Sequence, residues 1–456
     1  MDTRELLERQ RAFFQTDATK DVAFRVAQLR TLKNLLKDNE EVLYEAICGD
    51  FGKSPFETYM TELALIHGEI NLAIRKLPSW AGKRRVRTNL ANFPGRSTIC
   101  PEPLGNTLVI SAWNFPYQLS LIPVVSAMAA GNTVILKPSE IAPGASRIMA
   151  RLINRSMDPS LLHVVEGGIQ ETTRLLKERF DKIFFTGSTS VGRIVYEAAA
   201  RHLTPVTLEL AGKNPVIVLP DCDVRMAAQR IAWGKCLNSG QSCVAPDHLW
   251  VHRAIEGKLL LELKKRMHGL YAVKNGTSHH PVKIIHDRHF NRLVSLLDQD
   301  KIYCGGHADP CQRTIEPTIL RGVTIDHRVM QDEIFGPILP VVAFDDIDEP
   351  IAFIKSRPRP LALYIFSSCR RSIDKVHKAV SFGGGAVNDT VLHFTNPHLP
   401  FGGVGFSGLG SYHGEAGFRA FSHYKSILEK PCWFEPFLKY PPYTRFKQRL
   451  LQLLLE

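Results

Sequence analysis

The run Val206-Thr207-Leu208-Glu209-Leu210-Ala211-Gly212-Lys213-Asn214-Pro215-Val216-Ile217-Val218 decides how this chain is read. Two short apolar runs flank a polar break, and such runs bounded by Gly, Asn and Pro read as strands. Ahead of it, apolar runs at 107–112, 133–136, 162–165 and 182–186 alternate with helical stretches. Beyond it, runs at 216–219, 248–252, 338–344 and 361–366 do the same, with helical stretches near 225–238 and 254–268. Alternation of this kind predicts parallel sheets with helices on both faces. The expected fold is therefore α/β, with two doubly wound parallel-sheet domains meeting at the break. Ligands of such sheets bind beyond the carboxyl ends of the strands.

Glu209 closes the last apolar run of the first region. Downstream lies Asn238-Ser239-Gly240-Gln241-Ser242-Cys243-Val244-Ala245-Pro246. A thiol among small residues is sterically open, and a carboxylate at a strand end can face a cleft. Together they suggest a nucleophile and a general base. The plain alternative for Cys243 is an inert buried thiol, the usual fate of a free cysteine. The chain has nine cysteines, an odd number without regular spacing, which points to a reducing compartment rather than a disulfide framework. Cys304, His307 and Cys311 lie in a Gly- and Pro-bearing loop without paired Cys-x-x-Cys spacing, so no metal site is expected.

At 456 residues the chain exceeds one compact core. Met1-Asp2-Thr3-Arg4-Glu5 opens without an apolar signal segment, and no run approaches the ~20 apolar residues a bilayer span needs. A cytoplasmic location is expected. The net charge of +12 is mostly dispersed. Its densest cluster, Lys83-Arg84-Arg85-Val86-Arg87, has no interleaved aromatic residue to stack a base. A solvated surface is favoured over a nucleic-acid partner.

Residues 1–82 read as a helical layer, with Leu29, Leu32, Leu35 and Leu36 on one face. Residues 83–103 are polar, with a turn at Pro94-Gly95, and suit a projecting hairpin. Lys137-Pro138-Ser139-Glu140 follows an early strand. A carboxylate there can accept from ribose hydroxyls, while Ser139 equally suits a helix N-cap. Gly187-Ser188-Thr189-Ser190-Val191-Gly192 permits a tight turn into a helix whose first amides suit a phosphate. Its spacing is not the usual Gly-x-Gly-x-x-Gly. The His-rich region 277–310 reads as surface. In the tail, Phe446, Leu450, Leu453 and Leu454 form a stripe beside Arg445, Lys447 and Arg449, a short basic amphipathic helix able to lie on a membrane.

Taken in order, Trp113-Asn114-Phe115-Pro116, Lys137-Pro138-Ser139-Glu140, Phe185-Thr186-Gly187-Ser188-Thr189, the Glu209 and Cys243 stretches, Glu333-Ile334-Phe335-Gly336-Pro337 and Pro400-Phe401-Gly402-Gly403-Val404-Gly405 resemble the aldehyde dehydrogenase superfamily. Within it, Ser411-Tyr412-His413-Gly414 resembles the class-3-type branch of fatty and aromatic aldehyde dehydrogenases. The resemblance spans nearly the whole chain. It implies oxidation of a medium- or long-chain aliphatic or aromatic aldehyde to the acid, with NAD or NADP. It implies that Cys243 attacks the carbonyl, that Asn114 and the Cys243 amide hold the oxyanion, and that Glu209 activates water against the thioester. Trp113, Lys137, Ser139, Glu140, the segment from Gly187 through Ser188, Thr189, Ser190 and Val191 to Gly192, Glu333 and Phe335 would bind cofactor. Asn388, His393, Phe394 and Phe401 would line the aldehyde channel.

By the same resemblance, 1–82 and 104–210 form the NAD(P)-binding domain and 211–398 the catalytic domain. Residues 83–103 with 399–430 bridge or oligomerise, 431–456 form the tail, and the assembly is a homodimer. One departure is Ala211, where the family usually carries Gly. An acylating enzyme passing its acyl group to coenzyme A is the rival chemistry, and it would not need Glu209. A non-catalytic binding protein on this scaffold would lack Cys243 or Glu209.

Overall fold

The break after Glu209 joins two sheets in the computed structural model, which describes residues 2–271 and 281–455. Ahead of it run β1 (Arg84–Val86), β2 (Arg96–Pro103), β3 (Asn106–Ile110), β4 (Thr133–Lys137), β5 (Leu162–Val164), β6 (Lys182–Thr186) and β7 (Val206–Glu209). After it run β8 (Pro215–Val218), β9 (His248–His252), β10 (Ile302–Cys304), β11 (Ala308–Asp309), β12 (Thr314–Ile315), β13 (Thr318–Leu320) and β14 (Ile338–Phe344). The last four are β15 (Ala362–Phe366), β16 (Gly384–Val387), β17 (Gly408–Leu409) and β18 (Ser422–Glu429).

The first sheet has the order β17-β7-β6-β3-β4-β5. Strands β3 to β7 pair in parallel, and only β17 is antiparallel. Counted from β3, the order is third, second, first, fourth, fifth, the doubly wound pattern whose direction reverses between β3 and β6. A ligand crevice is expected beyond the carboxyl ends of those two strands. Every residue of β3, β4 and β6 is buried, as helices on both faces require. The helix Pro116–Ala130 is buried along its whole length. Leu29, Leu32, Leu43, Ile47, Ile66 and Ile70 from the N-terminal helices share one core with it and with Val134 and Leu136 of β4. The leucine stripe of the sequence is that contact.

The second sheet has the order β10-β13-β14-β9-β8-β15-β16 and is parallel apart from β10. Because β7 leads into β8 through residues 210–214, the carboxyl edge of the first sheet faces the amino edge of the second. Strands β1, β2 and β18 form a separate antiparallel sheet, with β18 matched to β2 from Ser422↔Pro103 to Glu429↔Arg96. The expected 399–430 unit is thus divided. Its first part places β17 beside Glu209 in the first sheet, and only Ser422–Glu429 joins the arm.

Two local expectations differ. The helix after Glu140 begins at Pro143, and Ser139 instead accepts from the Ile141 amide at 3.3 Å. Pro143 fixes the helical start itself, leaving Ser139 to close a turn. Within 277–310, residues 277–280 lie outside the described part. The remainder is not all surface: the helix Asp287–Val294 buries Phe290 and Leu293 in the second domain's core.

Candidate active site

Cys243 is presented by an unusual piece of backbone. The helix Val224–Cys236 ends, and Asn238, Ser239 and Gly240 then take positive φ values of 51°, 50° and 71°. Two non-glycine residues in that region are strained and persist only where their surroundings fix them. Here they are fixed at many points. Asn238 donates its side-chain amide to the carbonyls of Asn114 (2.9 Å) and Gln241 (3.1 Å), and its backbone amide donates to Glu57 at 2.9 Å. Gln241 donates to the Lys283 carbonyl and accepts from the Ile285 amide. Asn214 donates to the carbonyls of Cys243 and Ala245.

Asn114 follows the end of β3, at the reversal point of the first sheet. Its side-chain nitrogen donates to the Gln241 carbonyl at 3.2 Å, two residues from the nucleophile candidate. An amide nitrogen carries two hydrogens, so a second donation remains possible. Glu209 ends β7. It is buried, and neither carboxylate oxygen has a hydrogen-bond partner among the described residues. Burial raises its carboxyl well above the usual carboxylate range. The half-buried Cys243 thiol is pushed up to about 12, by desolvation first and then by Glu333 and Glu209.

Glu333 lies near enough to Cys243 to act on its thiol, and Phe335 lies against Trp113. Burial and then Asp247 push the Glu333 carboxyl up to about 8. Phe335 has a φ of 54° and packs edge-on to Trp113 at 5.5 Å. The loop is held by residues outside the motifs singled out above. Asp247 accepts from the Ile334 amide at 2.8 Å, and Lys213 bonds the Asp247 carboxylate and the Val329 and Asp332 carbonyls. Burial alone would raise the Asp247 carboxyl, but Lys213 and His248 hold it below the ordinary range. His289 contacts the Phe335 carbonyl at 2.8 Å, and Arg292 donates to those of Glu333 and Ile334. Lys235 is also buried here, with its ammonium lowered to about 8 by desolvation. A charged residue directly ahead of an apolar strand, as Asp247 is before β9, is the available sequence signal for this support.

On the first domain, Lys137 at the end of β4 donates to the Pro138 carbonyl and lies 3.5 Å from the exposed Glu140 carboxylate. At the end of β6, Gly187 does not adopt positive φ. A Cβ there would come within 2.5 Å of the Phe185 ring, so the glycine provides clearance rather than turn freedom. Ser188 caps the helix Thr189–Ala200, and a Cβ at Gly192 would strike Leu210 of the break. Beside them Thr189, Gly192, Arg193, Leu210, Phe406 and Leu409 border a cavity of about 280 Å³. Among the described residues, the buried hydroxyl of Thr186 and both oxygens of Glu209 lack partners. These orphaned atoms at adjacent strand ends fit a ligand that brings its own polar groups, as a dinucleotide does.

The expected channel residues are only partly brought together. His393, Phe394 and Phe401 form one ring cluster with Tyr412, His413 and Tyr364. Burial lowers both histidines to about 4, so they are neutral near pH 7. Asn388 is the exception. Its side chain accepts from the Ser367 amide and donates to the Ser367 carbonyl, so it pins the end of β15.

Comparison with known proteins agrees with this geometry. The sequence profile of the Aldehyde dehydrogenase family matches residues 1–427. The 4,4'-diaponeurosporen-aldehyde dehydrogenase of Staphylococcus aureus is 46% identical over 96% of this chain and 96% of its own. The dimeric NADP-preferring aldehyde dehydrogenase of Rattus norvegicus is 45% identical over 96% of this chain and 97% of its own. A substrate-bound structure of Staphylococcus aureus AldH superimposes with a TM-score of 0.97 at 43% identity, covering 100% of both chains. The chain belongs to the aldehyde dehydrogenase family, in its class-3-type branch, and oxidises aldehydes with NAD or NADP.

Proposed function

We propose that Cys243, Asn114 and Glu209 carry out the oxidation in this chain. The supporting observation is the convergence of the Asn114 amide, the strained loop of Cys243 and an unpartnered buried carboxylate. The Cys243 thiol passes its proton to water, and its sulfur bonds to the carbonyl carbon as the C=O π electrons move onto oxygen. The Asn114 side-chain N–H and the Cys243 amide stabilise the oxygen that becomes negative, each worth about 3 kcal/mol of barrier. Bound NAD(P) supplies the hydride acceptor and a positive ring charge that favours the ionised forms of Cys243 and Glu209. Glu209 then takes a proton from water as it adds to the thioester, the C–S bond breaks, and the acid leaves.

The same reading assigns cofactor contacts to Trp113, Lys137, Ser139, Glu140, Gly187 to Gly192, Glu333 and Phe335. It takes 1–82 with 104–210 as the cofactor-binding unit and 211–398 as the catalytic one. The aromatic cluster around Phe401 favours an apolar aldehyde, aromatic or long-chain. Homodimer formation is supported by the arm strand β18, whose outer edge is unpaired among the described residues, and by its similarity to the rat relative, which is named as dimeric. Among the described residues no helix is long and apolar enough to cross a membrane. Peripheral membrane contact, for an enzyme placed in the cytoplasm, rests on the tail helix Arg445–Leu455, where Phe446 and Leu453 are exposed beside basic residues.

Single-turnover reduction of NAD and NADP with an aldehyde chain-length series tests the reaction. Cys243→Ala and Asn114→Ala should abolish or cripple the absorbance rise. Glu209→Gln should keep the first turnover and lose the following ones. Full steady-state activity of Glu209→Gln would refute its role as base, and acyl-CoA formation on adding coenzyme A would favour the acylating alternative.

A further inference from the structure

Just ahead of the helix Ala64–Trp80, the chain sets Lys53 against Glu62, nine residues on, with 3.2 Å between Lys53 Nζ and Glu62 Oε1. Both side chains are completely buried, at 0% exposure each. A buried ion pair rarely repays its desolvation, so it is weak evidence for stability and invites a search for a geometric role. Nothing in the chemistry above uses it.

The contacts of the pair supply that role. Glu62 Oε2 accepts from the backbone amides of Tyr117 (2.8 Å) and Gln118 (3.4 Å). These are first-turn amides of the helix Pro116–Ala130, whose own N-cap position, Phe115, has no side chain able to cap it. Glu62 thus caps that helix from another segment, and its negative charge suits the helix N-terminus. It does so from the π-helical turn Tyr59–Leu63, a local departure that recurs at functional sites. Lys53 Nζ meanwhile lies 4.7 Å from the Phe115 ring centre and 5.1 Å from that of Phe51. Phe51 in turn stacks on Trp113, with centroids 6.3 Å apart and 17° between planes.

Asn114 stands between these anchored residues. Trp113 is held through Phe51, Phe115 through Lys53, and the following peptides through Glu62. We infer that the buried Lys53–Glu62 pair is a positioning device for Asn114, holding its amide where the substrate oxyanion forms. The pair touches neither substrate nor cofactor in this account, and it acts through Asn114. The inference rests on the oxyanion role given to Asn114 above.

The test compares Glu62→Gln, Glu62→Asp and the charge-free double variant Lys53→Met/Glu62→Gln, each with and without Asn114→Ala. The readout is the single-turnover rate of nicotinamide reduction at saturating aldehyde and cofactor, together with both KM values and thermal melting. The expected result is a fall of about tenfold or more, bounded by the 10²–10³ that loss of one oxyanion donor costs. KM values should stay within about twofold, and Asn114→Ala should absorb the effect, leaving no further loss in its background. The exchanged pair Lys53→Glu/Glu62→Lys should not rescue the rate, because a lysine at 62 cannot accept from two amides. Folded variants with an unchanged rate, or with the same loss in both backgrounds, would overturn the inference. So would failure of every pair variant to fold, since the pair would then serve stability. If Asn114→Ala itself leaves the rate intact, it is the oxyanion assignment that fails.

Discussion

Asn214 holds the carbonyl oxygen of Cys243 with its side-chain amide at 2.6 Å. The same amide reaches the Ala245 carbonyl at 3.2 Å, and the Asn214 oxygen accepts from the Ala362 amide at 2.8 Å. One buried side chain therefore ties the link between the sheets to the Cys243 loop and to β15. Asn214→Ala would leave those groups unpaired, at about 1–3 kcal/mol per buried group. The expected loss is about 3 kcal/mol of unfolding free energy, measured by urea titration. The folded fraction should also lose turnover, because the Cys243 carbonyl is released. Unchanged turnover of the folded variant would mean that the loop is fixed without Asn214.

Glu333 follows desolvation as a cause of the raised Cys243 thiol. Removing that negative charge must lower the thiol's pKa and enlarge its thiolate fraction. In the cofactor-free enzyme, Glu333→Gln is expected to speed iodoacetamide modification of Cys243 by roughly three- to tenfold above pH 8, where Glu333 ionises. Near pH 6 Glu333 is already neutral, and the two proteins should react alike. Peptide mass spectrometry distinguishes Cys243 from the exposed Cys48, Cys311, Cys369 and Cys432. A slower reaction in the variant would contradict the electrostatic account.

The two sheets and their meeting point are legible in the sequence because buried parallel strands are short apolar runs and the break between β7 and β8 is polar. The candidate site residues are legible because they occupy strand ends and small-residue loops. Their supports are not. Asn214, Asn238, Gln241 and Asp247 act by hydrogen bonds to backbone far away in sequence, and such bonds leave no periodic pattern. Asn388 shows the converse. It sits in a glycine-rich stretch that suggests a substrate wall, and folding adds a two-way hydrogen bond with Ser367 that the stretch does not announce. Lys53 and Glu62 read as ordinary polar residues of a helical layer, and only folding puts both at 0% exposure.

Glu69 reverses the usual acid sensitivity of a carboxylate. It is buried and accepts from the Gly414 amide at 2.7 Å, and desolvation outweighs that bond to raise it to about 7. The folded state then holds a proton that the unfolded state has released. Its contribution to stability is complete below the ordinary carboxyl range and is lost as pH rises through about 7. Glu69→Gln retains an acceptor for Gly414 without ionising. It should raise stability at pH 8 by up to about 3 kcal/mol relative to the native protein, and by nothing near pH 4.5. Melting curves across that range decide it, and a benefit confined to low pH would reject the assignment.

Glu140 lies at the end of β4 with its side chain 46% exposed, beside Lys137. If it meets the adenosine ribose, its charge opposes a 2′-phosphate while accepting from a free diol. Across a few ångströms in largely aqueous surroundings, two such charges repel by about 1 kcal/mol, roughly fivefold in an equilibrium constant. Glu140→Gln should therefore raise the ratio of kcat/KM for NADP over NAD by about that factor, mainly through KM for the cofactor. Because solvent reaches this carboxylate, the preference should also weaken in high salt in the native enzyme and stay flat in the variant. Steady-state titrations of both cofactors at two ionic strengths measure this, and an unchanged ratio would remove Glu140 from the ribose site.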